Sequence, residues 1–568
     1  MKKYIYIILL VLVILLNVFL RVYGLNKSPA SVNFDEAALG YNAYSILKTG
    51  RDEYGNFLPI SLRSFNDYKP ALYAYLSIPF IKVMGLDASS TRMVSALAGS
   101  ISLIFLYFYI CEFVKYRWLR LFIFLIISLE PWRLHFSRTA FESNLSMCFF
   151  TAGAWFLYKY RDWEKTKNRF SKFLFISVLF SLSAYSYHGA RLAVPLLIGM
   201  WAIDPLKILF KEKISSYFVW VWKKRLLGLL PLLMFIVLIL PVFLANQGSL
   251  VLTRFKQENV FTRYSPYVPR ELIITDNIWQ NWQSHPVYYF LGIISGHILS
   301  YISPINLTQR VYHWVRGGVQ YIPEFSMFNW METILFVFGL VGLISGIFKK
   351  YKYRFIVYWI IAGAAPAALT WNWFHPLRSL NLFPALEIII ALGLVNLFEL
   401  VKKILPNLVA KLIYIAFGLI LVLSLLFVVC NEYNYAVWGN HGEYQPGGFK
   451  EGVPILKSLQ DNYDQVIIDS PHAQSYIFFL FYQSFDPKIV QSYANKRPKP
   501  GVEGNLNFDF YKYRFAKYNW PEQKNMSKVL IWTTSEVKED EINRTKGSKL
   551  IWVNNAVSKK ATAIITKD

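Results

Sequence analysis

MKKYIYIILLVLVILLNVFLRVYGLNKSPASVNFDE, residues 1–36, is the stretch that decides the fold. The apolar run 4–20 is long enough to cross a bilayer. Lys2 and Lys3 precede it and hold the N-terminus in the cytoplasm by the positive-inside rule. No small-residue cleavage site follows the apolar core, so the run reads as a retained span. The chain then emerges outside near Tyr23 and reaches Asp35-Glu36 close to the lipid headgroups. Carboxylates gain nothing from an anionic membrane surface. They suit a base for a hydroxyl or amine acceptor, or ligands for a cation. They equally suit the opening of a helix over 35–47, where the macrodipole favours negative charge.

Outward from this stretch the composition agrees. Of 568 residues, 55% are hydrophobic and 17% charged, too apolar for a soluble protein of this length. The net charge of +25 does not mark a nucleic-acid binder, because the basic residues cluster between apolar runs. Cys111, Cys148 and Cys430 lie in or beside apolar segments and form no CxxC, so neither a disulfide framework nor a zinc site is indicated.

Ten further apolar runs alternate across the membrane: 92–113, 121–135, 143–160, 173–187, 192–210, 226–245, 330–348, 355–370, 380–400 and 412–430. Every loop this alternation places inside is rich in Lys and Arg. Segment 71–84, with Pro79 and Lys82, reads as an interfacial helix, and 288–302 as re-entrant or interfacial. The outer loops are 26–91 and 246–329. From 431 charged residues and turn formers rise, and the short apolar runs 466–468, 529–532, 550–553 and 563–565 read as buried strands, with a helix over 476–483. The expectation is a polytopic α-helical membrane protein of about eleven spans. Residues 1–430 form the membrane domain, and 431–568 a soluble α/β domain on the outer face that folds as its own unit.

No P-loop or GxGxxG serves a nucleotide on the cytoplasmic side. Chemistry therefore belongs outside, where a sugar donor would be lipid-linked. Loop 26–91 offers Asp35, Glu36, Asp52, Glu53, Asp67 and Lys69. Later outer turns carry Arg133, His135, Arg138, Glu142 and Asn144, then His188 and Arg191, then His375 and Arg378. Positive residues here run against the topology bias. Lys69, Arg138, Arg191 and Arg378 together suit an anionic phosphate, although each alone could snorkel or pair with Asp67 or Glu142. His188 and His375 could be interfacial rings. Trp279, Trp282, Trp314, Trp371 and Trp373 suit sugar stacking or an aromatic belt.

Several short motifs occur in order along the membrane part: Phe34-Asp35-Glu36, Asp67-Tyr68-Lys69-Pro70-Ala71-Leu72-Tyr73, Arg92-Met93-Val94-Ser95-Ala96-Leu97, Phe136-Ser137-Arg138-Thr139-Ala140-Phe141-Glu142-Ser143-Asn144, and His375-Pro376-Leu377-Arg378 with Pro384. With them the chain resembles bacterial glycosyltransferases of the GT-C fold, in particular the protein-O-mannosyltransferase-like enzymes that include the aminoarabinose transferases of lipid A. The resemblance implies a catalytic carboxylate at Asp35, supported by Glu36, and a second acidic residue at Glu142. It implies a donor-phosphate lysine at Lys69, with Ala71 where the family has a second proline. The implied reaction is inverting transfer from a polyprenyl-phosphate sugar to a lipid, glycan or protein acceptor at the outer leaflet of the plasma membrane. No metal need be assumed, although Asp35, Glu36 and Glu142 could hold a divalent cation. Two other readings compete: an outer-leaflet polysaccharide polymerase or ligase, and a non-enzymatic lipid or sugar transporter. The early Asp-Glu and the terminal domain speak against the first. The gathering of ionisable residues at one face speaks against the second.

Overall fold

The structure is a computed structural model that describes residues 2–65, 67–162, 167–209, 226–244, 259–261, 286–308, 326–372, 374–438, 448–469, 474–497, 507–533, 535–554 and 561–568. Most of loop 246–329, and Trp279, Trp282, Trp314 and Trp373, lie outside the described residues.

The apolar runs all become helices. In chain order these are α1 (Lys2–Val22), α2 (Phe34–Thr49), α3 (Leu72–Met84), α4 (Ala88–Phe113), α5 (Arg117–Leu129), α6 (Pro131–Arg138), α7 (Glu142–Lys159), α8 (Arg169–Ser186), α9 (Ala190–Ile203) and α10 (Leu230–Leu244). They continue with α11 (Pro286–Ile302), α12 (Trp330–Ile347), α13 (Tyr351–Ala368), α14 (Phe383–Ile404) and α15 (Asn407–Trp438). Among the described residues six helical stretches are long and apolar enough to cross a membrane by themselves: Tyr4–Val22, Ala88–Phe113, Leu227–Leu244, Trp330–Ile347, Pro376–Ile404 and Asn407–Cys430. This is a multi-pass helical membrane protein. Where helices cross closely, small residues allow it. A Cβ on Gly393 of α14 would stand 1.7 Å from the Leu335 carbonyl oxygen of α12, and one on Gly339 would stand 1.9 Å from that of Ile389.

Two expected spans are interrupted. The run 121–135 splits into α5 and α6 at Glu130, which is extended (φ −60°, ψ 121°) ahead of Pro131. Proline lacks the amide proton and pushes its predecessor out of the helical region. Glu130 instead caps α6 through the Arg133 amide at 2.9 Å. The run 192–210 ends at Asp204, in the left-handed region (φ 53°) ahead of Pro205. In both places hydrophobic continuity outran the backbone.

Between α2 and α3 lies an antiparallel hairpin, β1 (Ser61–Ser64) and β2 (Asp67–Pro70), which pairs Leu62 with Lys69. The C-terminal part holds β3 (Gln465–Asp469), β4 (Tyr513–Arg514), β5 (Val529–Thr533), β6 (Ser548–Asn554) and β7 (Ala561–Lys567) in the order β4-β3-β5-β7-β6. The first three strands are parallel and the last pairings antiparallel. All four expected apolar runs are strands, and the expected helix is α16 (Tyr476–Gln483).

One buried cluster, Ile467, Trp520, Val529, Ile531, Ile542 and Ile565, lies wholly within this part, and a second is shared with the loop that follows α1. Val32, Ala37, Ala38, Tyr41 and Phe65 of the outer loop share one buried cluster with Phe449, Phe478, Phe481, Ile468 and Trp532. Beside its internal cluster, the part expected to fold as its own unit from 431 thus shares a core with α2. Gly40 records the tightness: a Cβ there would meet Thr91 Oγ1 at 2.6 Å on one side and the Phe481 ring at 2.7 Å on the other. Tyr41 donates its hydroxyl to the Phe485 carbonyl at 3.1 Å, and Lys450 donates to the Asn26 and Ala30 carbonyls at 2.8 and 3.0 Å. Burial, and then the charge of Arg92, holds the Lys450 ammonium below the usual lysine range.

Candidate functional site

The helix α2 begins with a complete capping box. The Asn33 side chain accepts from the Glu36 amide at 2.9 Å, and Glu36 Oε2 accepts from the Asn33 amide at 3.0 Å. Asp35 therefore stands in the first turn, where the helix dipole favours its charge.

Asp35 and Glu36 then part company. Glu36 is fully buried. Arg92 of α4 grips both its oxygens, at 2.7 and 2.9 Å, and the Ala140 amide donates to Oε1 at 2.8 Å. The remaining donors of Arg92 go to the carbonyls of Leu25, Pro29 and Ser31 at 2.6–2.7 Å. This is a closed buried ion pair with its hydrogen bonds satisfied, the condition under which such a pair is tolerated. Glu36 thus orients α2 and offers no oxygen to a substrate. Arg92 is the residue that sequence reasoning left out of the site. Its signal was present, because it too is an outer-side arginine against the topology bias.

Asp35 points the other way. Its side chain is 48% exposed and pairs through Oδ1 with Lys69 Nζ, whose own side chain is 7% exposed. Strand β2 supplies Lys69, and the ammonium also lies 5.5 Å from the centre of the Phe65 ring. His188, in the turn before α9, is bound to the same strand: Nε2 lies 3.0 Å from the Tyr68 carbonyl. Asp67 accepts from the Tyr68 amide at 2.7 Å. Glu142 opens α7 half-buried, and its charge, with that of Glu36, reaches the buried Tyr73 hydroxyl.

The other acids of loop 26–91 are structural. Asp52 closes a turn on the Tyr54 and Asn56 amides at 2.9 and 2.8 Å. Glu53 is buried against Arg497 at 3.0 Å, and that guanidinium stacks over Tyr54 at 3.6 Å. Burial pushes the Glu53 carboxyl up and Arg497 opposes it.

The four expected phosphate cations separate. Lys69 faces Asp35. Arg378, on the short 3-10 segment Pro376–Leu382, donates to Asn372 Oδ1 at 2.8 Å. Arg191 lies at the start of α9 with its guanidinium 5.9 Å from the Phe243 ring centre. Arg138 needs a correction. It is 1% exposed and donates to the carbonyls of Leu20, Tyr23, Gly24 and Ser28 at 2.7–3.2 Å. It serves the carbonyl-rich C-terminal end of α1, which a cation satisfies, and so is not placed to meet a phosphate. His375 is buried at the head of the 3-10 segment, its backbone amide donating to Tyr301 at 3.0 Å. Arg133 forms a second buried pair, with Glu387 of α14 at 2.6 Å through Nε.

Among the described residues no three His, Cys, Asp or Glu side chains gather as a metal-ligand set. Asp35, Glu36 and Glu142 in particular are not pooled, because both Glu36 oxygens are engaged.

The whole chain aligns with ArnT from Cupriavidus metallidurans in its undecaprenyl-phosphate-bound form, with a TM-score of 0.52, 11% identity, and 99% of this chain and 98% of that one covered. The apo form of that protein gives a TM-score of 0.52 at 12% identity, covering 100% and 98%. The fold is that of the GT-C membrane glycosyltransferases. A second GT-C protein, the oligosaccharyltransferase AglB from Archaeoglobus fulgidus, aligns at a TM-score of 0.47 and 12% identity, and the chain covers 64% of its length. No family model matches the sequence, and no curated protein sequence does.

Proposed function

We propose that this chain is an inverting glycosyltransferase that moves a hexosyl or pentosyl group from a polyprenyl-phosphate donor to a lipid, glycan or protein acceptor at the outer leaflet of the plasma membrane. The observation that carries the reading is the Asp35–Lys69 pair: a half-exposed carboxylate at a helix N-terminus, facing a nearly buried lysine, on a helix fixed from behind by Glu36 and Arg92. The orientation this requires, N-terminus inside and C-terminal part outside, rests on the distribution of Lys and Arg. The GT-C fold supports the donor class, since ArnT was crystallised with undecaprenyl phosphate.

The geometry suggests an order of events. Without substrate, Lys69 neutralises Asp35. A donor phosphate competes for the ammonium, and its movement frees Asp35. Asp35 then takes the proton of the acceptor O–H or N–H as the acceptor attacks the anomeric carbon. The bond to the phosphate oxygen breaks on the opposite face, and polyprenyl phosphate leaves with its negative charge stabilised by Lys69 and Arg378. One displacement inverts the centre.

The test is incubation of the purified protein with a panel of radiolabelled polyprenyl-phosphate sugars and membrane extract. Label should pass to an acceptor with inverted anomeric configuration. Transfer of no sugar in the panel, or transfer with retention, would sink the reading.

A further inference from the structure

A polar cavity of about 570 Å³ lies at the other end of the helices from Asp35. It is walled by the ends of α4, α7 and α9 and the start of α13. These termini are the ones that the Lys and Arg distribution assigns to the cytoplasm. Five cations line it, Arg161, Lys207, Lys350, Lys352 and Arg354, against three acids, Glu112, Asp162 and Asp204.

Among the described residues the acids of the cavity have partners other than Lys350 and Lys352. Asp204 is taken by Arg354, which reaches both its oxygens at 2.9 Å, and by the Tyr358 hydroxyl at 2.6 Å. Glu112 faces Lys159 at 3.5 Å, and Asp162 faces its neighbour Arg161 at 3.8 Å. Among the described residues Lys352 makes no ion pair with a carboxylate. Its ammonium donates to the Glu112 backbone carbonyl at 3.0 Å and lies 4.6 Å from the Phe113 ring centre. Burial and then Lys350, with Lys115 and Arg161 behind, press it below the usual lysine range against the pull of Glu112. Among its described residues the cavity therefore carries more cations than acids. Its neighbours in sequence, Ile203 and Phe348, are 39% and 61% exposed, apolar side chains that suit lipid tails beside a charged mouth.

We propose that this cavity holds the anionic phosphodiester headgroup of a cytoplasmic-leaflet phospholipid, with Lys350 and Lys352 as its ligands. Basic pockets between spans on the cytoplasmic side suit such headgroups. The exposed apolar side chains of Ile203 and Phe348, next in sequence to this basic end, favour a lipid over a soluble phosphate of the same chemistry. The inference does not depend on the transfer reaction.

The experiment is native mass spectrometry of the full chain carried in vesicle lipid of equal phosphatidylglycerol and phosphatidylcholine content, then stripped with detergent. The wild type should retain phosphatidylglycerol in preference. Each lysine near an anionic group contributes roughly fivefold. The Lys350→Gln/Lys352→Gln protein should therefore lose retention on the order of twenty-fivefold, and Lys350→Arg/Lys352→Arg should keep it. If the double glutamine variant does not fold, Lys350→Gln alone should still cost roughly fivefold. Equal retention in wild type and variants overturns the site, as does absence of preference between the two lipids. Displacement by millimolar inorganic phosphate overturns the lipid assignment in favour of a soluble anion.

Discussion

Asp35 and Glu36 are neighbours in one helical turn and live in opposite surroundings. Glu36 is sealed, with Arg92, two backbone amides and no solvent. Asp35 is half open, with one lysine partner across from it. The same division runs through the outer arginines. Arg92 and Arg138 are buried among backbone carbonyls, whereas Arg378 donates to the Asn372 side chain. The lesson is that charge at this end of the helices has two uses. One set ties the irregular segment 22–33 to the ends of α1, α4 and α6. The other, Asp35 with Lys69 and Arg378, is the set that the proposed reaction uses.

The joint core makes the strongest demand on this division. Because α2 is packed between α4 and α16, deletion of residues 431–568 should leave its apolar face bare and abolish transfer altogether. Expression, melting and transfer of the truncated protein measure this. A stable truncation that transfers at the wild-type rate would detach Asp35 from the C-terminal part.

Arg92→Gln comes next. It leaves Glu36 buried without its counter-charge, and such losses cost about 3–5 kcal/mol. The melting temperature should fall sharply, with donor affinity per folded molecule kept. A variant as stable as wild type would break the claim that this pair is the frame.

Lys69→Ala and Arg378→Ala should act on binding instead. Each removes a charge-assisted contact of about 1.5–3 kcal/mol to a polyprenyl phosphate, with a smaller effect on melting. Titration with polyprenyl phosphate reads this directly, and equal affinity in both variants would leave the phosphate site without its cations.

Arg138→Gln is the subtlest. It should lower stability by about 1–3 kcal/mol, because carbonyls at the end of α1 lose their donor, and leave donor affinity unchanged. Weaker donor binding there would return Arg138 to the site.

Much of this architecture was legible in the sequence. Long apolar runs with basic loops between them point to helices in a membrane, and among the described residues six helical stretches are long and apolar enough to cross one. The breaks at Pro131 and Pro205 were visible as prolines, but the apolar pattern runs through them and hid the ends. Short apolar runs bounded by turns gave the strands of the C-terminal part. Its shared core was not readable, since nothing in Ala37, Ala38 or Gly40 says which surface will cover them. The site was legible as a set of charges, not as roles. Arg92, Arg138 and Arg378 carry the same signal in one dimension. Only the carbonyls and carboxylates brought beside each one separate a cap from a ligand.

The central claim is that Asp35 is the base. Asp35→Asn keeps the volume of the side chain and removes the proton acceptor. With a labelled donor at saturation and donor binding measured in parallel, transfer should fall by roughly two to four orders of magnitude while binding is kept. Transfer by Asp35→Asn at the wild-type rate would contradict the account.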